Sequence, residues 1–211
     1  DWFVKTWAQR NLMQSLLTML FCNTNSQAVL GNGNLNHSQT VLPSHGVLQT
    51  GTLNNKGQFY GLNNNTTQVK AFHQEAVWGD QWDRIVGLVN DHGQIRAKTS
   101  APYLNISNLL DVKGQEDYEM IGKTLQGTTG GYISETIMTK YGNIPYKASG
   151  SASTYETDGL WFKNDQINCA LVGGNCASSS SAGLFGLALD NFVWVSDWSI
   201  GASLSYMKAS I

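Results

Sequence analysis

The sequence predicts an α+β fold with two helices, a β-rich remainder and long loops, on three observations. Apolar residues recur at helical spacing at the start of the chain and again near residue 85. Strand-like alternation begins at Gln94, and asparagine and glycine punctuate the stretch between the two helical segments. Over residues 2–21 the apolar positions Trp2, Phe3, Trp7, Leu12, Met13, Leu16, Leu17, Leu20 and Phe21 follow i, i+3, i+4 spacing, which predicts a helix buried along one face. From Asn23 to Thr67 the runs Gly31-Asn32-Gly33-Asn34, Asn54-Asn55-Lys56-Gly57 and Asn63-Asn64-Asn65 favour left-handed turn conformations, which predicts turns joining short strands. A second helix is expected over Asp80–Val89, capped by Asp80, with Trp82, Ile85, Val86 and Val89 on one face. Gly87 weakens it by about 1 kcal/mol. Asp91-His92-Gly93 reads as a hairpin turn into the alternating strand Gln94–Lys98, and everything after it as β-structure with long loops.

The last forty residues carry the most information. In Leu184–Asp190, period-2 alternation sorts Phe185, Leu187 and Leu189 onto a core face and Gly186, Ala188 and Asp190 onto an open face. Ahead of that strand lies a run of small residues, Cys176, Ala177, Ser178, Ser179, Ser180 and Ser181. After it comes an aromatic segment, Asn191 to Ser199, with Phe192, Val193, Trp194, Ser196, Trp198 and Ser199. Aromatics beside small polar groups are the composition of a recognition surface, although Trp194 and Trp198 read equally well as core.

Composition narrows the function. The 211 residues carry 13 Lys+Arg against 15 Asp+Glu, a net charge of −2, and charged residues are only 13% of the chain, about half the usual share. With 41% hydrophobic residues and seven Trp the chain has ample mass for a core, so disorder is not expected. Charge balance without a basic block argues against nucleic acid or a membrane surface as partner. The most apolar stretch, Leu12 to Phe21, is half the about 20 residues of a membrane span. A chain beginning Asp1-Trp2-Phe3 without Met reads as part of a longer or processed polypeptide. Cys22, Cys169 and Cys176 show no CxxC spacing, so neither a disulfide scaffold nor a zinc site is indicated.

Enzyme motifs fail on inspection. Gly122-Lys123-Thr124 lacks the upstream glycine of a phosphate loop, because position 117 is Asp117. Gly150-Ser151-Ala152-Ser153-Thr154 lacks the second glycine of a nucleophile elbow. His37, His45, His73 and His92 are scattered among turn residues and read as surface groups. Glu116, Asp117 and Glu119, near Asp111, read as a solvated acidic loop rather than a cation site. Sequons at Asn36, Asn64, Asn65 and Asn105 are expected by chance in so Asn- and Ser-rich a chain. No cofactor or metal is expected.

Three stretches in order resemble the variable proteins of diversity-generating retroelements, a family with a C-type lectin-like fold common among receptor-binding proteins of phages. They are Val77-Trp78-Gly79-Asp80-Gln81-Trp82-Asp83-Arg84, then Gly150–Thr154 through Asp158-Gly159-Leu160-Trp161, then Ala170-Leu171-Val172-Gly173-Gly174-Asn175 through Ala182-Gly183-Leu184-Phe185 to Ile200-Gly201-Ala202-Ser203-Leu204. The chain departs from the family pattern at Val172, where Arg is usual, and at Cys176, where Trp is usual. The resemblance implies a single lectin-like domain over residues 1–211, its twisted antiparallel sheet bearing two helices. Residues 1–70 would form an N-terminal helix and hairpin region, and 71–211 a core whose segment about 170–205 is diversified.

In that family mutagenesis strikes adenines of Asn codons and yields codons ending in C. Cys176, Ala177, Ser178, Ser179, Ser181, Gly186, Ala188, Asp190, Phe192, Val193, Ser196 and Ser199 are all reachable this way, while Trp194 and Trp198 are not and would be fixed. All fourteen are the candidate ligand-binding residues. The resemblance further implies a non-enzymatic domain at a virion tail fibre or cell surface, binding a bacterial surface receptor of protein or glycan as a homo-oligomer, a trimer by analogy. The alternatives are a purely structural virion protein and a formylglycine-generating-type oxidase, which shares the fold and a similar tryptophan-rich motif. The oxidase would need a cysteine pair after Gly173-Gly174, where only Cys176 follows. Calcium-dependent sugar binding would need Glu-Pro-Asn or Gln-Pro-Asp, and Pro43, Pro102 and Pro145 sit in neither.

Overall fold

The computed structural model describes residues 2–35, 47–100, 103, 117–154, 156–192 and 194–206. The chain opens not in a helix but in a strand, β1 (Trp2–Val4), and helix α1 follows at Trp7–Phe21. The helix starts there because Thr6 and Gln9 form a reciprocal capping box, each side chain bonding the other's backbone N–H. Cys22, left-handed at φ 49°, ends it.

The buried face of α1 is Trp7, Arg10, Met13, Gln14 and Leu17, whereas Leu12, Leu16, Met19 and Leu20 are exposed. This corrects the expectation that the leucines define the buried stripe. Arg10 and Gln14 displace them because carbonyls of two loops, at Val77 and at Gly183-Leu184, need donors in the interior.

No named strand forms between Asn23 and Thr67 among the described residues. A short helix, α2 (Ser26–Leu30), occurs instead, capped by the Asn25 side chain accepting from Ala28 N–H at 3.0 Å, and the other described residues there are turns and loop.

The expected second helix is a strand, β2 (Trp82–Asp91). Gly87, at φ +92°, sits in a break in the β2 register between Arg84 and Val89. Ile85 and Leu88 both reach the main core, while Val89 packs on the other side with Tyr118 and Cys169. The irregularity thus places two core residues three apart, a spacing that imitates a helix. Asp80 caps nothing. Its buried carboxylate instead accepts from Asn34 Nδ2 (2.6 Å), Gln68 Nε2 (2.8 Å) and Leu48 N–H (3.2 Å).

His92 and Gly93, both at positive φ, make the tight turn from β2 into β3 (Gln94–Ala97). Then follow β4 (Glu119–Thr124), β5 (Gln126–Gly127), β6 (Gly130–Thr139), β7 (Gly142–Ala148), β8 (Gly159–Phe162), β9 (Ile167–Val172), β10 (Leu187–Asn191), β11 (Ile200–Gly201) and β12 (Leu204–Tyr206). One sheet runs in the order β4-β3-β2-β9-β10-β8-β6-β7-β5, with β11 added alongside β2. It is mixed rather than antiparallel: β8 with β10, β2 with β11 and β5 with β7 are parallel pairs. Over the described residues the chain is therefore mostly β-sheet with two short helices, compatible with the α+β class.

β1 pairs antiparallel with β12, which brings the two ends of the described chain together. Beside that pair a buried ion pair joins Lys5 Nζ to Asp83 at 3.1 Å, and Asp83 also accepts from Ser203 N–H at 2.9 Å. Burial holds the Lys5 ammonium below its usual range despite Asp83. The main core gathers Trp7, Met13 and Leu17 of α1 with Ile85, Leu88, Ile95, Ile144, Leu160, Phe185, Leu187 and Leu189. No described helix is long and apolar enough to cross a membrane.

Candidate functional site

The segment between β9 and β10 is closed at its base by main-chain bonds. Gly173 and Gly174 turn the chain at φ +95° and +80°, a conformation that favours glycine. Gly173 N–H donates to Gly186 O (3.0 Å) and Gly183 N–H to Gly173 O (3.1 Å). Inside the loop, Asn175 Oδ1 accepts from Ala177 N–H (3.1 Å) and the Ser178 hydroxyl (3.0 Å), and Ser179–Ser181 form one 3-10 turn. Helix side chains hold the outside of the loop. Gln27 Nε2 donates to Ser179 O (3.1 Å) and Ala182 O (2.6 Å), Ser26 Oγ accepts from Leu184 N–H (2.9 Å), and Arg10 reaches Gly183 O (3.1 Å) and Leu184 O (2.6 Å).

A cleft of about 270 Å³ opens between this loop and the sheet. Ala177, Ser178 and Ser181 line it from the loop, Ala188, Asp190 and Asn191 from β10, Asn175 from the turn, and Trp82 and Trp161 from β2 and β8. The two indoles meet edge to face, centroids 5.4 Å apart at 84°. Trp161 lies across two glycines: a Cβ on Gly159 would come within 2.1 Å of its ring and one on Gly130 within 2.6 Å. Asp190 Oδ1 accepts from Asn191 Nδ2 at 2.7 Å, and burial raises the carboxyl above its usual range, with Lys163 pulling the other way.

The segment after β10 is tied to the same sheet. Arg84 donates to Val195 O (2.8 Å) and Phe192 O (3.4 Å), Gln81 Nε2 donates to Trp198 O, and Trp82 N–H donates to Ser199 O (2.8 Å). Phe192 and Trp194 stack, centroids 4.4 Å apart at 12°, and Trp194 remains 47% exposed.

The structure brings five of the fourteen candidates, Ala177, Ser178, Ser181, Ala188 and Asp190, to one cleft. Ser179 is exposed beside it. Phe192, Trp194, Ser196, Trp198 and Ser199 lie on the adjoining segment, where Ser199 is turned onto Asp197 Oδ1 at 2.6 Å. Cys176 is buried, its thiol pushed up by burial, and Gly186 is buried at the loop base. Val193 lies outside the described residues. Open-face alternation holds in direction for Ala188 and Asp190, although Ala188 forms a buried floor at 3% exposure. Trp82, Trp161, Asn175 and Asn191 were not among the candidates. The signal for Trp161 was present in Gly159-Leu160-Trp161, where a glycine two residues earlier leaves the same strand face open to an indole.

Beneath the loop runs a buried polar seam. Asp158 Oδ2 accepts from Phe185 N–H (2.7 Å), and burial pushes its carboxyl up to about 8 against that bond and the nearby Arg10. Burial likewise pushes Glu156 up to about 7, opposed by Asn143 Nδ2 at 2.7 Å. Asp158 Oδ1, Glu156 Oε2 and Gln14 Oε1 are buried without a partner.

Elsewhere Asp117 pairs with Lys98 (3.0 Å) and Glu119 with Lys140 (2.6 Å), so these acids serve as surface ion pairs. Glu116, Asp111, His37, His45 and the sequons at Asn36 and Asn105 lie outside the described residues. Among the described residues no cluster of three His, Cys, Asp or Glu is arranged to hold a metal ion. Cys22, Cys169 and Cys176 form no disulfide, and burial pushes Cys169 up to about 11. No protein-family model matches the chain, and no curated protein matches it.

Proposed function

We propose that this chain is a non-enzymatic receptor-binding domain of C-type lectin-like fold, displayed on a phage tail fibre or a related surface, whose segment about 170–205 is diversified. One observation carries the reading. Residues from two separate stretches, Ala177, Ser178 and Ser181 before β10 and Ala188 and Asp190 within it, line a single open cleft. The family resemblance marks these same positions as variable. A bacterial surface receptor would seat there, with Phe192 and Trp194 alongside as apolar contacts. A small cleft binds weakly per copy, so several copies on one fibre, a homotrimer by analogy, would supply avidity. The mostly β architecture with two short helices and long loops supports the lectin-like assignment.

The oxidase alternative gains nothing from the cysteines, because the Cys169 and Cys176 thiols are both buried and held protonated. Sequencing codons 170–205 across the source population, with codons 80–115 as control, tests the proposal. Substitutions concentrated at the twelve Asn-codon-reachable positions, with Trp194, Trp198, Gly173 and Gly174 constant, are the expected result. Two equally invariant windows would leave a fixed adhesin or a structural protein.

A further inference from the structure

The cleft has two chemically different halves. Trp82 and Trp161 form an aromatic wall and come from β2 and β8, outside the segment proposed to vary. Facing them are small side chains, Ala177 and Ala188, and hydrogen-bonding groups, Ser178, Ser181 and Asp190, all inside it. Resting on the receptor-binding reading above, we infer that the cleft takes a single neutral sugar ring of a surface polysaccharide. The constant indoles would receive its apolar C–H face, and the changeable polar half would read its hydroxyls.

Four features converge on this ligand class. The cleft's roughly 270 Å³ falls below the about 300–1,000 Å³ of pockets for drug-sized ligands, so it holds one ring rather than a folded segment. Its floor is the buried Ala188 methyl, which leaves depth for a ring without adding a polar atom to desolvate. Asp190 is the one charged residue lining it among the described residues, and Asn191 occupies one oxygen of that carboxylate. A carboxylate accepts up to about four hydrogen bonds, which leaves capacity for vicinal hydroxyl donors. Strand addition by a peptide is closed off, because β10 is already paired on both edges, with β8 and β9.

The test uses the full chain immobilised and probed with two panels: purified bacterial surface polysaccharides, each intact and after periodate opening of its vicinal diols, and an array of random peptides. Binding to at least one polysaccharide, lost on periodate treatment, is expected. Asp190→Asn, which is nearly isosteric, should weaken it about tenfold to a hundredfold, the range for a hydrogen bond to a charged group. Trp161→Phe should weaken it less than Trp161→Ala, and near-UV circular dichroism establishes that each variant folds. Peptide capture that Asp190→Asn abolishes, with no polysaccharide bound, overturns the sugar assignment and leaves the receptor-binding reading standing. Failure of both panels, or polysaccharide binding indifferent to Asp190 and Trp161, overturns both.

Discussion

Arg10→Met tests whether α1 holds the cleft loop in place. The Arg10 side chain is fully buried, and its guanidinium donates to Val77 O (3.0 Å), Gly183 O (3.1 Å) and Leu184 O (2.6 Å). Gly183 O retains Gly186 N–H and Leu184 O retains Gln14 Nε2 when those bonds are lost, so the substitution strips Val77 O most completely. A stranded buried acceptor costs about 1–3 kcal/mol and each lost hydrogen bond to a charged donor about 1.5–3 kcal/mol. Against this, Met fills similar volume and spares the desolvation of a buried cation, which lies in low enough dielectric to hold the Arg10 pKa down to about 10. The net expectation is a loss of about 2–4 kcal/mol. Urea unfolding followed by tryptophan fluorescence, comparing midpoints at unchanged slope, measures it. Arg10→Lys should recover little, because one ammonium cannot match the fork of a guanidinium across three carbonyls. A loss below about 1 kcal/mol, or a gain, would mean that desolvation of the cation outweighs its bonds and that the loop needs no such anchor.

Glu156 and Asp158 have folded pKa values of about 7 and about 8, above their unfolded values, so the folded chain retains protons that the unfolded chain releases. Stability is therefore full below about pH 4 for these groups and falls as pH rises toward 7–8, and Glu156→Gln should flatten a melting-temperature profile taken over that window. A wild-type profile rising throughout would contradict this. Phe185→Ala, at 4% exposure in the core, should cost about 3–5 kcal/mol, and a change under about 1 would remove Phe185 from the core. Asp190→Ala with Phe192→Ala should abolish receptor attachment while shifting the melting temperature by no more than about 2–4 °C, the size of a 1 kcal/mol effect at this chain length; a larger drop makes them structural. Gly159→Ala should tilt Trp161 out of place, since the new Cβ would lie 2.1 Å from its ring, and unchanged near-UV dichroism would refute that packing.

Local chemistry was readable where one residue type has one physical use. Asp91-His92-Gly93 gave its turn; Phe185, Leu187 and Leu189 lie in the core and Ala188 and Asp190 line the cleft, although Gly186 and Ala188 of the expected open face are buried. Periodicity misled where tertiary context changed the rules. The irregular register at Gly87 made a strand look helical. Arg10 and Gln14 took the inside of α1 because carbonyls 67 or more residues away needed them, a demand invisible locally. Of the cleft, Ala177, Ser178, Ser181, Ala188 and Asp190 were legible within one continuous stretch, whereas Asn175 and Asn191 beside them were not. Trp82 was not, and Trp161 only through the glycine two residues before it, because the sheet brings the two indoles together from β2 and β8 across the intervening β9 and β10.

The contacts that grip the outside of the cleft loop have a common property. Arg10, Gln14, Ser26 and Gln27 all engage its main chain, at Ser179, Ala182, Gly183 and Leu184, rather than any of its side chains. Carbonyl oxygens belong to every amino acid and the Leu184 N–H to every one but proline, so these anchors are blind to what the exposed loop positions encode. Rewriting Ala177, Ser178 or Ser181 leaves these outer bonds intact, although Ser178 and Ser181 give up the hydroxyl bonds they make to Asn175 and to Ser178 O inside the loop. Most random edits there should yield a folded protein with a new surface instead of an unfolded one, which makes this loop an inexpensive place for a lineage to search for new partners.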